Sequence, residues 1–259
     1  MAKIYYFSGT GNSLSLAKRL AGNLEAEIRS VGAYLKNPEE LDDDLIGLVT
    51  PVYCLSIPPV VHEFLQRLRI KSSPYIFCVA DMGASAGKSL RQVQELLAVR
   101  GLKLSAGYAL PMPDNSIVFP TPFSNRSAML AKAMEQVDTI AFDVKARRDN
   151  SSMLNASAAW QLVNRTGWLV MDKFMEVKNR KVDSSKCIHC GNCARVCPSH
   201  CIHIADGLPV FGQPCFSCFA CAQWCPAHAI SLGRLTPDDK NCYTNPAITV
   251  AELEEYNHK

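Results

Sequence analysis

The sequence predicts an α/β protein, a five-stranded parallel sheet covered by helices on both faces, followed by a small cysteine-rich unit. Three observations lead there. Short β-rich runs alternate with segments whose apolar residues recur at helical spacing. The first such run passes at once into a glycine loop that opens a helix. Nine of the twelve cysteines crowd between Cys187 and Cys225. Strands that alternate with helices bury both faces of a parallel sheet, which fixes the class of the longer part.

Taken in order, Lys3 to Phe7 is the first strand, and Ser8-Gly9-Thr10-Gly11-Asn12-Ser13 is the loop. Leu14, Leu16, Ala17, Leu20, Ala21 and Leu24 then trace one helical face. Ala26 to Ser30 is a second strand, and Val31 to Asp43 is too irregular for a full helix, so a short or missing helix is expected there. Asp44 to Thr50 reads as a buried strand stopped by Pro51. Val60, Val61, Phe64, Leu65 and Leu68 form a helical stripe, Tyr75 to Ala80 a fourth strand, and Leu90, Val93, Leu96 and Leu97 the next helix. Lys103 to Leu110 is the last strand, and 124–148 reads as helix. Residues 150–180, with Trp160 and Trp168, read as one or two bridging helices. The expected division is 1–148 for the sheet unit, 149–180 for a helical linker, 181–234 for the cysteine unit and 235–259 for a C-terminal tail.

Composition excludes several classes. With 48% apolar and 20% charged residues the chain is neither disordered nor collagen-like. A net charge of +3 without a clustered basic stripe gives no nucleic-acid surface. The longest uncharged stretch, Leu45 to Val61, is broken by Pro51, Pro58 and Pro59 and is too short to span a bilayer. The N-terminus shows no signal-peptide pattern, so a cytoplasmic protein is expected. A secreted disulfide scaffold would be short and loop-rich. Here the cysteine-poor part is long, and metal or cluster binding in a reducing compartment is the better reading.

The cysteines form an internal repeat. Cys187, Cys190, Cys193 and Cys197-Pro198 recur 28 residues later as Cys215, Cys218, Cys221 and Cys225-Pro226. Each is C-x2-C-x2-C-x3-C-P, the spacing of two-cluster bacterial-type ferredoxins, in which the fourth cysteine reaches the other cluster. One [4Fe–4S] cluster is therefore expected on Cys187, Cys190, Cys193 and Cys225, and a second on Cys215, Cys218, Cys221 and Cys197. A pair of zinc sites would need neither the third close cysteine nor the Cys-Pro ending. Cys201 aligns with Ala229, which marks it as a small packed residue rather than a ligand. Ile188, Ile204, Phe216, Phe219 and Trp224 are expected to shield the clusters from water.

The loop at 8–13 has the placement of an anion site, with main-chain amides and a helix N-terminus. Ser8, Thr10, Asn12 and Ser13 add side-chain hydrogen-bonding groups and no positive charge, which suits a phosphate monoester. The dinucleotide fingerprint fails, because Leu14 stands where a third small residue belongs. The run from Gly83 to Ser89 approaches a Walker A loop, but Met82 occupies the position of its first glycine, so no ATP or GTP site is expected.

The loop Ser8-Gly9-Thr10-Gly11-Asn12-Ser13 resembles the FMN-phosphate loop of flavodoxins. Joined to the two cysteine motifs, the chain resembles the flavodoxin–ferredoxin fusion proteins of anaerobic bacteria and archaea. The resemblance implies a doubly wound sheet of order 2-1-3-4-5 with FMN at the carboxyl ends of its strands. It also implies a small α+β two-cluster ferredoxin domain. Three loops would meet at the flavin. The first holds its phosphate. The second is Pro51-Val52-Tyr53-Cys54, with Tyr53 stacking on the ring, and the third is Asp81, Met82, Gly83, Ala84, Ser85 and Ala86 to Gly87. Asn115, after the last strand, would close one side. The sequence departs from the family in two ways. Nothing in the second loop readily takes a positive φ, and the third loop lacks a covering aromatic.

Such a chain would pass electrons between clusters and flavin in concert with redox protein partners. The alternative is a flavin-dependent reductase of a small molecule with the clusters as its wire. No acid–base constellation stands out, and whether the chain is a carrier or an oxidoreductase is left open by the residues.

Overall fold

A computed structural model describes residues 1–151, 176 and 178–259. The expected bridging helices of 150–180 lie almost wholly outside the described residues. In chain order the first part contains β1 (Ala2–Tyr6), α1 (Asn12–Leu24), β2 (Glu27–Ser30), α2 (Val31–Lys36), β3 (Glu40–Leu41), β4 (Leu45–Pro51), α3 (Pro59–Arg67), β5 (Arg69–Ile70), β6 (Tyr75–Met82), α4 (Ser89–Ala98), β7 (Leu104–Pro111) and α5 (Phe123–Lys145). The second part contains β8 (Arg180–Val182), α6 (Asn192–Arg195), β9 (Ile202–Ala205), β10 (Leu208–Phe211), α7 (Ala220–Gln223), β11 (Ile230–Leu232) and α8 (Val250–Asn257).

The main sheet has five parallel strands in the order β2-β1-β4-β6-β7. With β3 and β5 set aside as a separate two-stranded pair, this is the expected order 2-1-3-4-5. β4 lies between β1 and β6, and all seven of its residues are buried, as expected of a strand covered on both faces. One face is closed by α1 and α5, with Leu14, Leu20, Val137 and Val144 in its core. The other is closed by α2, α3 and α4, with Tyr34, Phe64, Val93 and Leu97. Burying each such side chain contributes about 1.5–3 kcal/mol. The chain leaves β1 toward β2 on one side and reaches β4 on the other. The crevice at the carboxyl ends of β1 and β4 is thus the topological switch point where such sheets bind ligands.

The segment after β2 becomes the six-residue helix α2, capped by Ser30, whose hydroxyl accepts from the amides of Gly32 and Ala33. A short helix, not a full one, was the expectation for this stretch, and Pro38 soon after it prevents extension.

The cysteine unit keeps the 28-residue repeat in its backbone. α6 and α7 begin 28 residues apart, as do β8 and β10. His189 and Ser217, Gly191 and Phe219, and His200 and His228 are three repeat pairs, and all six residues have positive φ. The halves interlock, since β8 pairs antiparallel with β11 and β9 with β10, so each small sheet takes one strand from each half. β8 begins at Arg180, which puts that residue in this unit rather than in the linker.

The C-terminal stretch is not a loose tail. α8 starts with a capping box between Thr249 and Glu252. Its Leu253 is fully buried in the same core as α1 and α5. Lys18 bridges to Glu252 at 2.5 Å, and Asn257 accepts from the Tyr6 hydroxyl and donates to the Val196 carbonyl. Residues 243–257 therefore bind the two units together.

Candidate cofactor sites

Each half of the repeat folds its first three cysteines around a left-handed turn and a single turn of helix, at Gly191–Arg195 and Phe219–Gln223. That compact turn can direct three thiols at one space. The fourth cysteine of each motif, at the end of its short helix, faces the other half.

Two cavities result. The first is lined by Cys187, Cys190, Cys193 and Cys225, with Ile188, Ile204, Pro209 and Ile230 among its walls. The second is lined by Cys197, Cys215, Cys218 and Cys221, with Phe216, Phe219, Ile202 and Leu232. Each therefore gathers the four cysteines predicted to share a cluster, three from one motif and one from the other. A thiol ring around an apolar-walled space has the donor set that an iron–sulfur cubane requires. In the first cavity the Ala229 amide donates to Cys225 Sγ at 3.3 Å. In the second, Ser217 N lies 3.4 Å from Cys215 Sγ, and Ser199 Oγ lies 3.4 Å from Cys197 Sγ. Such hydrogen bonds to sulfur tune cluster potential.

Cys201 is buried with its Sγ 3.7 Å from Cys197 Sγ. It stands just behind the second cavity and outside its lining, a closer approach to a predicted ligand than the repeat suggested. Ala229, at the matching position, is likewise buried.

The glycine loop lies at the end of β1, with Ser8, Thr10, Asn12 and Ser13 all buried. Gly11 caps α1 with φ of 96°, a conformation costly for any residue with a Cβ. Its amide donates to Ser8 Oγ. The amides of Thr10, Asn12 and Ser13 meet no acceptor among the described residues. Buried donors without acceptors at a helix N-terminus suit an anion, so the phosphate end of FMN fits here. The side chains are arranged differently from the expectation. Thr10 Oγ1 accepts from Asn115 Nδ2 at 2.9 Å, leaving its own proton to donate. Asn12 Oδ1 accepts from the Tyr243 hydroxyl at 2.7 Å and from Asn245 Nδ2 at 3.0 Å, and its amide group donates to the Pro113 carbonyl. Ser13 donates to Asp81 Oδ1 at 2.7 Å. Main-chain amides and the Ser8 and Thr10 hydroxyls remain for a phosphate, and the side chain of Asn12 is committed to the C-terminal stretch.

Pro51 ends β4, and Val52, Tyr53 and Cys54 follow it beside this loop. Val52 N donates to the Asp81 carbonyl, which ties the second loop to the third. The turn from Tyr53 to Ser56 overturns one expectation. Its central residues, Cys54 and Leu55, have φ of 48° and 62°, and Tyr53 and Ser56 exchange both main-chain hydrogen bonds. Sequence offered no glycine or asparagine signal for a turn of this kind. The Leu55 carbonyl holds it in place by accepting from Lys88 N at 2.9 Å. Tyr53 packs edge-on against Phe7 at 6.2 Å between ring centroids, and Phe7 meets Phe216 at 5.9 Å. The Tyr53 hydroxyl is buried without a partner among the described residues, and burial holds its pKa well above the ordinary value.

In the third loop, Asp81 is buried, and burial pushes its pKa up to about 7 despite the Ser13 hydrogen bond, which pulls it down. Gly83 backs onto the Asp114 side chain. Ser85 Oγ accepts from the Gly87 amide. Met82 accepts from Met112 N through its carbonyl, and Ala84 lies between these anchored positions.

The cysteine unit sits directly on the glycine loop. Trp224 Nε1 donates to the Gly9 carbonyl at 3.0 Å, Gln223 Nε2 donates to the Asn115 carbonyl at 2.6 Å, and Asn245 N donates to the Thr10 carbonyl. A Cβ on Gly9 would run into the Cys218 carbonyl oxygen. Sequence reasoning missed Tyr243, Asn245 and Gln223. The Thr249-x-x-Glu252 spacing, not read as a cap from the sequence, could have marked the ordered element there.

Residues 180–203 match the family described as 4Fe-4S binding domain. Among solved structures, the chain is similar to the Trp repressor binding protein of Bacillus subtilis (12% identity, 55% of this chain and 96% of that one, TM-score 0.41). It is also similar to the two-electron reduced flavodoxin of Megasphaera elsdenii (19%, 52% and 99%, TM-score 0.36). A third similar structure is a Streptococcus pneumonia flavodoxin (15%, 56% and 98%, TM-score 0.40). Identities and scores this low say nothing of function, and the sheet order itself defines the fold. No match was found among curated proteins. Among the described residues, no helix is long and apolar enough to cross a membrane.

Proposed function

We propose that the chain is an electron-transfer iron–sulfur flavoprotein that holds two [4Fe–4S] clusters and one FMN and exchanges electrons with redox protein partners. Cys187, Cys190, Cys193 and Cys225 hold one cluster, and Cys215, Cys218, Cys221 and Cys197 the other. The amides of Thr10, Asn12 and Ser13 with the Ser8 and Thr10 hydroxyls bind the flavin phosphate, and the loops at 51–54 and 81–87, with Asn115, border the ring. When bound, the clusters would supply one-electron steps and the flavin one- or two-electron storage. The chain's own residues fix the spacing between the groups, exclude water and set the local field.

The observation that carries this reading is the contact between the second cysteine cavity and the glycine loop. Cys218 and Trp224, from one cysteine motif, both rest on Gly9. Two redox groups held on either side of that contact would be close neighbours. The same contact favours the carrier reading over the small-molecule reductase, because the loop side of the crevice is covered by the chain itself.

Anaerobic purification followed by iron, acid-labile sulfide and flavin analysis tests the proposal. About eight irons, eight sulfides and one FMN per chain are expected, since each cubane holds four of each. Stoichiometric zinc in place of iron, or equal affinity for riboflavin and FMN, overturns it.

A further inference from the structure

The two halves of the cysteine unit are alike in backbone and unlike at one position. Arg180, at the start of β8, has Leu208 as its repeat partner at the start of β10. Arg180 lines the second cavity. Its Nη1 lies 3.4 Å from Cys201 Sγ, its Nη2 donates to the Gly212 carbonyl at 2.9 Å, and its guanidinium stacks over the Phe211 ring at 5.2 Å. Its Nε is buried and has no partner among the described residues. No carboxylate among the described residues forms an ion pair with it. The first cavity is lined by apolar, histidine, asparagine, glycine and cysteine residues, with no lysine or arginine.

The structure assigns Arg180 as a positioning residue that makes the second cysteine cavity the higher-potential of the two, and so directs single electrons from the first cavity toward the glycine loop. This rests on the proposed two-cluster reading. Adding an electron makes a cluster more negative, and a fixed positive charge nearby favours the reduced form. The charge has no carboxylate to neutralise it, and it lies in a half-buried site where screening by water is weak. Ser217 N and Ser199 Oγ act in the same sense. Greater exposure of the first cavity, where Cys190 is exposed, acts in the opposite sense. It does so through mobile solvent dipoles rather than through a full charge fixed in the cavity wall. The step moves one electron, oxidises the group in the first cavity and reduces that in the second, and makes or breaks no bond.

The direction also matches the placement. The cavity lined by the exposed Cys190 and Ile188 is the entry, and the cavity packed on Gly9 and Phe7 is the exit toward the flavin loops. The repeat partner Leu208 stands between Gly207 and Pro209, which line the first cavity, and carries no charge, so the asymmetry is legible in the repeat itself.

The test is an EPR-monitored redox titration of the anaerobic holoprotein, comparing wild type, Arg180→Leu, Arg180→Lys and Leu208→Lys. The wild type is expected to titrate in two steps separated by at least tenfold in equilibrium constant, about 59 mV for one electron. Arg180→Leu should lower the upper step and leave the lower one in place, Arg180→Lys should restore most of the shift, and Leu208→Lys should raise the lower step. The assignment is overturned if Arg180→Leu moves the lower step, moves both alike or moves neither. If that variant does not fold, coincident steps in the wild type, or no shift in Leu208→Lys, overturn it equally. Iron and sulfide are counted on the same samples. Fewer than two cubanes in the wild type would count against the proposed function, whereas two cubanes with the wrong shifts would count against Arg180 alone.

Discussion

Trp224 and Gly9 are joined by one hydrogen bond, indole N–H to main-chain carbonyl at 3.0 Å, across 215 residues of sequence. The bond takes a residue from inside the second cysteine motif and sets it on the loop that follows the first strand. Trp224→Phe keeps an aromatic side chain, smaller than the indole, and removes the donor, leaving the Gly9 carbonyl without its partner. A loss of about 0.5–1.5 kcal/mol in unfolding free energy is expected, with FMN binding weakened several-fold. Denaturant titration and flavin fluorescence measure the two. An unchanged stability would mean that the indole hydrogen bond contributes nothing net.

Gly9 itself carries the next prediction. Gly9→Ala would press a methyl group into the Cys218 carbonyl, and backbone on both sides can yield only by parting the units. Overpacking of this kind costs about 1–3 kcal/mol. Because Cys218 belongs to the second cavity, the visible absorption and iron content should change although the substitution lies in the other unit. Gly22→Ala is the control. It sits in α1 with open space around it and should stabilise the protein by roughly 0.5–1 kcal/mol. Loss of iron in both variants alike would remove the interface explanation.

Cys201→Ala is expected to retain the full complement of iron, since its repeat partner Ala229 is buried at the matching position. Cys197→Ala is best read in that background, because Cys201 Sγ lies only 3.7 Å from Cys197 Sγ and could substitute for it. The double variant should lose the cluster of the second cavity, about half the iron. Loss of a whole cluster from Cys201→Ala alone would make Cys201 a ligand.

These residues show how much was readable beforehand. The five strands were legible because buried parallel strands are continuous apolar runs with sharp ends at Pro51 and in the glycine loop. The grouping of cysteines was legible because spacing dictates which thiols share a turn. The Cys54-Leu55 turn was not, since neither residue carries a local signal for positive φ. The surrounding contacts, Lys88 on Leu55 above all, impose it. Nor was the junction of Tyr243 and Asn245 with Asn12, which joins residues more than 230 positions apart and leaves no periodicity to read.

That imposed turn is itself testable. A left-handed conformation costs a residue with a Cβ roughly 1–2 kcal/mol. Leu55→Gly should recover part of this, offset by the larger entropy of glycine in the unfolded chain and by lost packing. A net gain of up to about 1 kcal/mol is expected. A clear loss of stability would show that the Leu55 side chain anchors the loop more strongly than the turn strains it.

Asp81 makes stability depend on pH in a direction opposite to the usual carboxylate. Burial raises its folded-state pKa to about 7, from an ordinary value of 3.8. The folded protein therefore binds the proton more tightly than the unfolded chain does. Between about pH 4 and pH 7 the unfolded chain releases this proton first, so stability falls as pH rises, by a few kcal/mol at most at 1.36 kcal/mol per pH unit. Above pH 7 the dependence on this group levels off. Asp81→Asn keeps an acceptor for Ser13 and removes the ionisation. It should flatten the decline and make the variant the more stable form at pH 8. Unfolding midpoints at pH 5, 6, 7 and 8 decide the matter, and parallel profiles for the two proteins would refute it. The same charge stands beside the anion loop through Ser13. Ionised Asp81 holds the Ser13 hydroxyl and repels a bound phosphate, so FMN affinity in the wild type should fall as pH rises through 7 and change less in Asp81→Asn.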